Sequence, residues 1–312
     1  MNKSDMKIVY LGTPDFAVAP LQALVREGYR VQAVFTQPDK PRNRGQMQPT
    51  PVKRAALDLG LTVHAPARLN REPELLAACD PELLVVVAYG QLLSPQVLSL
   101  PRLGAVNIHA SLLPQYRGAA PIQAAIMQGA KSSGVSIMYL DQGMDTGDVI
   151  LSQALPIGAD QTTGQLHDQL QTLGVELLLQ ALPLIAAGTA PRTPQDHAKA
   201  SYAPMLTKGD EVIDWTRPAQ AIHNQIRGLN PFPGAYTTWE GKRLKLWSSR
   251  LEPMAGQQAR PGQVLATGKA GFWVACGEGS LLITEVQPEG KPKMPAPAYI
   301  NGYRLTTGAI LQ

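Results

Sequence analysis

Residues 83–88 read LLVVVA, six positions without one polar side chain. A half-exposed strand alternates polar and apolar residues, so an unbroken, β-branched run demands cover on both faces. That is the mark of a strand inside a parallel sheet flanked by helices. Shorter runs at 7–11 (KIVYL), 31–35, 104–109, 135–140 and 149–151 carry the same signal, and helical spacing fills 51–59 and 165–187 between or after them. Strand–helix alternation of this kind predicts an open, mostly parallel, Rossmann-like α/β sheet over residues 1–188. The first strand-to-helix turn reads GTPDF, with Thr13 expected to cap a helix and Pro14 to enter its first turn. It lacks the glycine triplet that brings a pyrophosphate to the backbone, and no phosphate-loop lysine motif occurs, so neither a nicotinamide dinucleotide nor ATP is the expected ligand. The helix at 165–187 is expected to weaken at Pro183. Glu176, Gln180 and Pro183 interrupt its apolar stretch, so it is not read as a membrane span.

Residues 189–207 are polar, rich in proline and without period, which predicts a linker. Beyond it, a helix at 219–227 and the turn-prone LNPFPGAY precede short strands at 243–247, 263–266, 271–275 and 281–286. Short strands broken by Gly and Pro predict a C-terminal small β-barrel of the oligonucleotide-binding type over 208–312. Charge divides along the same line. Residues 1–207 hold 16 basic and 16 acidic side chains, whereas 208–312 hold 12 and 8, so the net charge of +4 lies wholly in the last third. A basic domain beside a neutral one suits a partner that carries phosphates, although +4 is also ordinary surface charge. The two cysteines stand alone and no basic leader precedes an apolar run. Neither a disulfide nor a metal site is expected, and a cytoplasmic enzyme is.

The chemistry concentrates in NIHASLLPQYRG, residues 107–118. In a strand, positions i and i+2 face the same way, so Asn107 and His109 share one face while Ile108 turns to the core. The carboxyl ends of parallel strands are where such sheets place their ligands. A second polar element, DQGMDTGD, holds Asp141, Asp145 and Asp148 in a glycine-rich turn after another strand. A carboxylate from it can orient His109 and stabilise its protonated form. An amide, an imidazole and a carboxylate supply oxyanion donors and a proton carrier but no nucleophile. Ser111, followed by Leu112, Leu113 and Pro114, reads as a structural turn residue, and no G-x-S-x-G elbow is present. Direct acyl transfer between two bound partners fits the set. The same residues also admit a bland account, a satisfied histidine at a strand end and aspartates that make turns. Arg117 either steers an anion or pairs with a carboxylate.

NIHASLLPQYRGAAPIQ (107–123) and GMDTGDVI (143–150) resemble the signature of the folate-dependent formyltransferases. VYLGTPDFAV (9–18), TQPDKPRNRG (36–45), TPVKRAA (50–56), VVVAYGQLL (85–93) and RGLNPFPGAYT (227–237) extend the likeness over nearly the whole chain, toward the members that act on methionyl-tRNA. The resemblance implies a monomeric formyltransferase moving a formyl group from 10-formyltetrahydrofolate to the α-amino group of methionine on initiator tRNA. It implies Asn107, His109 and Asp145 as catalytic residues, with no metal. It also implies folate contacts at Tyr89, Gly90, Leu93 and the Tyr139, Leu140, Asp141, Gln142, Gly143 segment. For tRNA, it points to Lys40, Arg42 and Arg44 of the polar loop 36–50, to Arg117, and to the Lys242, Arg243, Lys245 cluster. The loop departs from the family pattern, with Asn43, Gln46 and Met47 where glycine and lysines are usual, and Gln115 replaces a frequent basic residue. Two rival readings are a formyltransferase for a nucleotide-linked amino sugar and a non-catalytic RNA-binding protein.

Overall fold

A computed structural model describes residues 3, 5–42, 46–252, 254 and 259–312. Its chain divides into two compact units, the first comprising Met1–Pro121, Ser133–Leu155 and His167–Pro204, the second Ile122–Ser132, Pro156–Leu166 and Met205–Gln312.

The strands of the first unit are β1 (Lys7–Gly12), β2 (Arg30–Phe35), β3 (Lys40–Arg42), β4 (Gln46–Gln48), β5 (Val63–His64), β6 (Leu83–Val87), β7 (Ala105–His109), β8 (Arg117–Gly118), β9 (Ser132–Tyr139), β10 (Val149–Pro156) and β11 (Tyr202–Ala203). Seven of them form one sheet in the order β10-β9-β7-β6-β1-β2-β5. β1 is parallel to β2 and β6, β6 to β7 and β2 to β5, while β9 runs antiparallel to β7. The all-apolar run lies at the centre of this sheet, with all five β6 residues buried. Val9, Leu11, Phe35, Leu84, Val86 and Tyr89 share one core cluster.

Short helices α1 (Val18–Arg26), α2 (Pro51–Asp58), α3 (Pro73–Ala77), α4 (Pro95–Leu98) and α5 (Pro121–Met127) connect these strands, and α6 (Thr163–Ala187) follows β10. Helix α2 begins where Thr50 Oγ1 accepts the Lys53 N–H and Pro51 takes the first position. The cap expected at Thr13 is not made. Thr13 Oγ1 instead donates to the Tyr89 carbonyl at 2.8 Å and accepts from the Gln37 N–H, tying the ends of β1, β2 and β6 together. The 36–50 loop contains a small ladder, β3 against β4. Helix α6 runs unbroken through Pro183, whose side chain is exposed, so the missing N–H falls on the helix's outer side. By length and composition α6 is apolar enough to cross a membrane, contrary to the sequence reading. Leu166, Leu170, Leu173, Leu177, Leu178, Leu182 and Ile185 are nevertheless buried within the protein, as in a core helix. Gly174 is the close-packing position: a Cβ there would sit 2.9 Å from Cγ2 of Ile108 in β7.

The second unit contains α7 (Ala219–Gly228), β12 (Ala235–Trp239), β13 (Lys242–Arg250), β14 (Val264–Thr267), β15 (Phe272–Ala275), β16 (Ser280–Pro288), β17 (Met294–Pro295) and α8 (Ala296–Tyr303). Its antiparallel sheet has the order β12-β13-β16-β15-β14, with β17 on β16. Ile222 and Ile226 of α7 share a core with Leu244, Leu246, Phe272, Val274, Leu281 and Ile283 from the strands and Tyr299 from α8. Three elements of this unit, β12, β17 and α8, escaped the sequence reading. β12 hides behind NPFPG although Ala235 and Thr237 alternate inward, β17 is two residues long, and α8 carries prolines in and before its first turn.

Candidate active site

Asn107 and His109 stand on one face of β7 near its C-terminal end, 9% and 5% exposed, while Ile108 meets Gly174 on the other. The imidazole is pinned from one side. Its Nε2 lies 2.9 Å from the Tyr116 carbonyl, which only accepts, so Nε2 carries the hydrogen. Nδ1 is left facing Asp145 Oδ2 at 3.7 Å, an ion-pair separation rather than a hydrogen bond. The same Oδ2 accepts the Gly118 N–H at 2.8 Å. The Asn107 amide has no hydrogen-bond partner among the described residues and is thus free to donate.

The turn that delivers Asp145 is tightly specified. Asp145 adopts φ +53, a left-handed conformation that aspartate tolerates at roughly 1 kcal/mol. A Cβ at Gly147 would fall 1.9 Å from the Tyr139 carbonyl, so the chain returns onto the end of β9 only with glycine there. Gln195 completes the support. Its Nε2 donates to the carbonyls of Asp145 (3.0 Å) and Gly147 (2.7 Å), and its Oε1 accepts from Arg117 Nη2 at 2.7 Å. Ser201 adds to this on the other side, accepting the Tyr116 N–H at Oγ and the Arg117 N–H at its carbonyl.

These contacts correct two expectations. Residues 189–204 do not behave as a linker: β11 pairs with β8, Thr193 bridges to Val149, and Gln195 and Ser201 brace the site. Buried polar side chains with paired ends look, in sequence, like any polar connector. Arg117 is neither a free anion guide nor a carboxylate partner. It is 1% exposed and spends its guanidinium on Gln195 and on His197 Nδ1. Gln195→Glu would keep the acceptor for Arg117 but remove both donors to the turn. With two buried carbonyls unsatisfied at about 1–3 kcal/mol each, turnover is expected to fall about tenfold or more. A kcat within twofold of wild type would show that the turn needs no such brace.

The remaining candidates separate by exposure. Ser111 is fully buried, donates to the Gln115 carbonyl at 2.6 Å, and accepts the Ser136 hydroxyl at its own carbonyl. Leu113 N–H donates to Ser136 Oγ, and Leu113–Pro114 is a cis peptide. Leu112 packs against Gly134, where a Cβ would collide with it. Tyr89 is inside the core, its carbonyl taken by Thr13, and burial pushes its phenol up to about 12. Tyr139 is buried with the Arg192 guanidinium 3.8 Å above its ring. Gly90, Asp141 and Gln142 are exposed, whereas Leu93, Leu140 and Gly143 are half-buried. Asp141 Oδ1 closes its own turn by accepting from Gly143 N–H and Thr146 Oγ1. Among the loop cations Lys40 is exposed, Arg44 lies outside the described residues, and so does the Arg42 side chain. Lys242 is exposed and so is Arg243, which stacks on Tyr236 at 4.0 Å, but Lys245 donates to the Pro233 carbonyl at 2.6 Å.

Residues 6–182 match the family model described as formyl transferase, and residues 205–304 match its C-terminal domain. The chain belongs to the formyl transferase family. It is 52% identical over 310 residues to the methionyl-tRNA formyltransferase of Moorella thermoacetica, covering 98% of this chain and 99% of that one. It is 51% identical to the enzyme of the same name from Symbiobacterium thermophilum, covering 97% and 94%. Among solved structures, an N-formyltransferase of Helicobacter canadensis in complex with folinic acid and dTDP-3-aminofucose superposes with a TM-score of 0.69 at 18% identity. That superposition covers 91% of this chain and 99% of the other, and at such identity the likeness is one of fold. The mostly parallel first sheet and the antiparallel second sheet are therefore the formyltransferase fold, and this formyltransferase carries the expected Asn–x–His on a strand of the first and the Asp in the turn after β9.

Proposed function

We propose that this formyltransferase moves the formyl group of 10-formyltetrahydrofolate to the α-amino group of methionine on initiator tRNA. The observation that carries the chemistry is a buried His109–Asp145 pair with one ring nitrogen pinned, beside an amide with no hydrogen-bond partner among the described residues. The acceptor follows from full-length relatives at 52% and 51% identity. The neutral amine attacks the formyl carbon, and the resulting oxyanion accepts from the Asn107 amide. The amine's proton passes to His109 Nδ1, because Nε2 is already committed to Tyr116. The imidazolium so formed is stabilised by Asp145 and donates through Nδ1–H to the oxyanion. When the bond from carbon to the folate N10 breaks, the same proton goes to the departing nitrogen.

This assignment sharpens the role expected for His109: oxyanion donation and proton carriage fall on one atom, and the first requires that the second has occurred. The folate donor is assigned to the ledge of Gly90, Leu93, Leu140 and the 141–143 turn, and exposed Lys40, Lys242 and Arg243 are assigned to tRNA phosphates. We place the reaction in the cytoplasm, where Cys79 and Cys276, both free thiols, stay reduced. The deciding assay supplies formyl-folate with either charged initiator tRNA or a nucleotide-linked amino sugar. Formylation of the tRNA amine is expected, and formylation of the sugar alone, or of neither, overturns the proposal.

A further inference from the structure

The second unit holds a cavity that the formyl-transfer chemistry does not use. Arg227 of α7 lines it, 6% exposed, with Nε donated to Asn224 Oδ1 and Nη1 to the carbonyls of Gly158 and Gln161. Every one of these acceptors is neutral, so the buried guanidinium has no carboxylate within ion-pair distance among the described residues. Its Nη2 has no hydrogen bond among them either. A buried charge without a counter-ion is costly, and burial pushes this guanidinium below its ordinary range.

The other polar groups of the lining sort into two sets. His223 Nε2 hydrogen-bonds the Ala159 carbonyl at 3.2 Å with the exposed Asp160, the lining's one carboxylate, 3.3 Å away, and Ser249 Oγ lies 3.0 Å from His223 Nδ1. Ser248 and the exposed Arg250 have no side-chain partner among the described residues. The β13–β16 register breaks on both sides of Ser248. That irregularity lets the consecutive residues Ser248 and Ser249 line the same cavity, which a regular strand would forbid.

We propose that this cavity, about 190 Å³, takes a phosphoryl group held by Arg227 Nη2, Arg250 and the Ser248 hydroxyl. Guanidinium groups bind phosphoryl oxygens in bidentate fashion, and a hydroxyl supplies one further donor. The group is either a backbone phosphate of bound RNA or the phosphate of a free anion.

Two measurements on the full chain test this without reading turnover, so they stand apart from the formyl-transfer assignment. The first is thermal unfolding in rising inorganic phosphate at ionic strength held constant with chloride. Saturable stabilisation is expected in the wild type, with the apparent affinity reduced about tenfold in Arg250→Ala and in Ser248→Ala. Both variants sit at the cavity and leave the buried Arg227 in place. The second is tRNA affinity across a salt series, where Arg250→Ala is expected to lower the slope of log K against log salt by about one if the phosphate is RNA's. A phosphate response with an unchanged slope supports the free anion. A changed slope supports the RNA backbone. Stabilisation no greater than that of chloride, together with an unchanged slope, overturns the site.

Discussion

His109→Ala is expected to lower kcat by about a thousandfold while the dissociation constant of the folate donor stays within about twofold. The expectation rests on the division of labour in the ring. Nε2 is spent on the Tyr116 carbonyl, so all proton traffic of the ring must use Nδ1, and alanine removes it. Donor binding is assigned to residues 90, 93 and 140–143, none of which hydrogen-bonds to the ring. Single-turnover kinetics beside an equilibrium titration of the folate separates the two quantities. If both fall equally, His109 is a binding residue and the assigned mechanism is wrong. A melting curve guards against the trivial outcome, since the variant also leaves the Tyr116 carbonyl without its donor.

Asp145→Asn is expected to cost turnover by a comparable factor. The amide is nearly isosteric and retains an oxygen that can accept the Gly118 N–H, so the turn keeps its shape and only the charge is lost. At 3.7 Å, a charge pair in a partly buried setting is worth about 4 kcal/mol at an effective dielectric near 20, or about three orders of magnitude in rate. Because Asp145 is assigned to act through the imidazolium, its loss should matter little once His109 is gone. The double variant is therefore expected to be no slower than His109→Ala alone, within about threefold, when assayed side by side. Full additivity would assign Asp145 an independent task, such as contacting the amine itself.

What could be read in the sequence tracks what local periodicity encodes. The central strand announced itself because burial on both faces leaves no room for a polar residue, and Asn107 and His109 were found together because a strand repeats every two positions. Asp145 was one of three aspartates near a turn until family resemblance selected it, since no local rule measures distance across a sheet. Gln195 was invisible. Its value lies in a two-ended amide that joins Arg117 to the 145–147 turn, and a glutamine after a proline in a polar stretch looks like any solvated connector. Arg117 was misread for the same reason in reverse: an arginine beside a catalytic motif suggests a ligand, yet its charge is consumed by the scaffold. Thr13 failed as a cap because its Oγ1 accepts a tertiary donor, the Gln37 N–H, in place of a helix N–H, while its own hydroxyl is held on the Tyr89 carbonyl.

The placement of residues 189–204 bears on how the molecule can be dissected. A fragment cut where the helical pattern ends, near Gly188, would contain every residue named in the reaction and yet lack the strand and the amide that hold two of them. Such a piece would retain the chemistry's components while losing their arrangement. A fragment that keeps this bracing must extend at least to Pro204, where the last segment of the first unit ends.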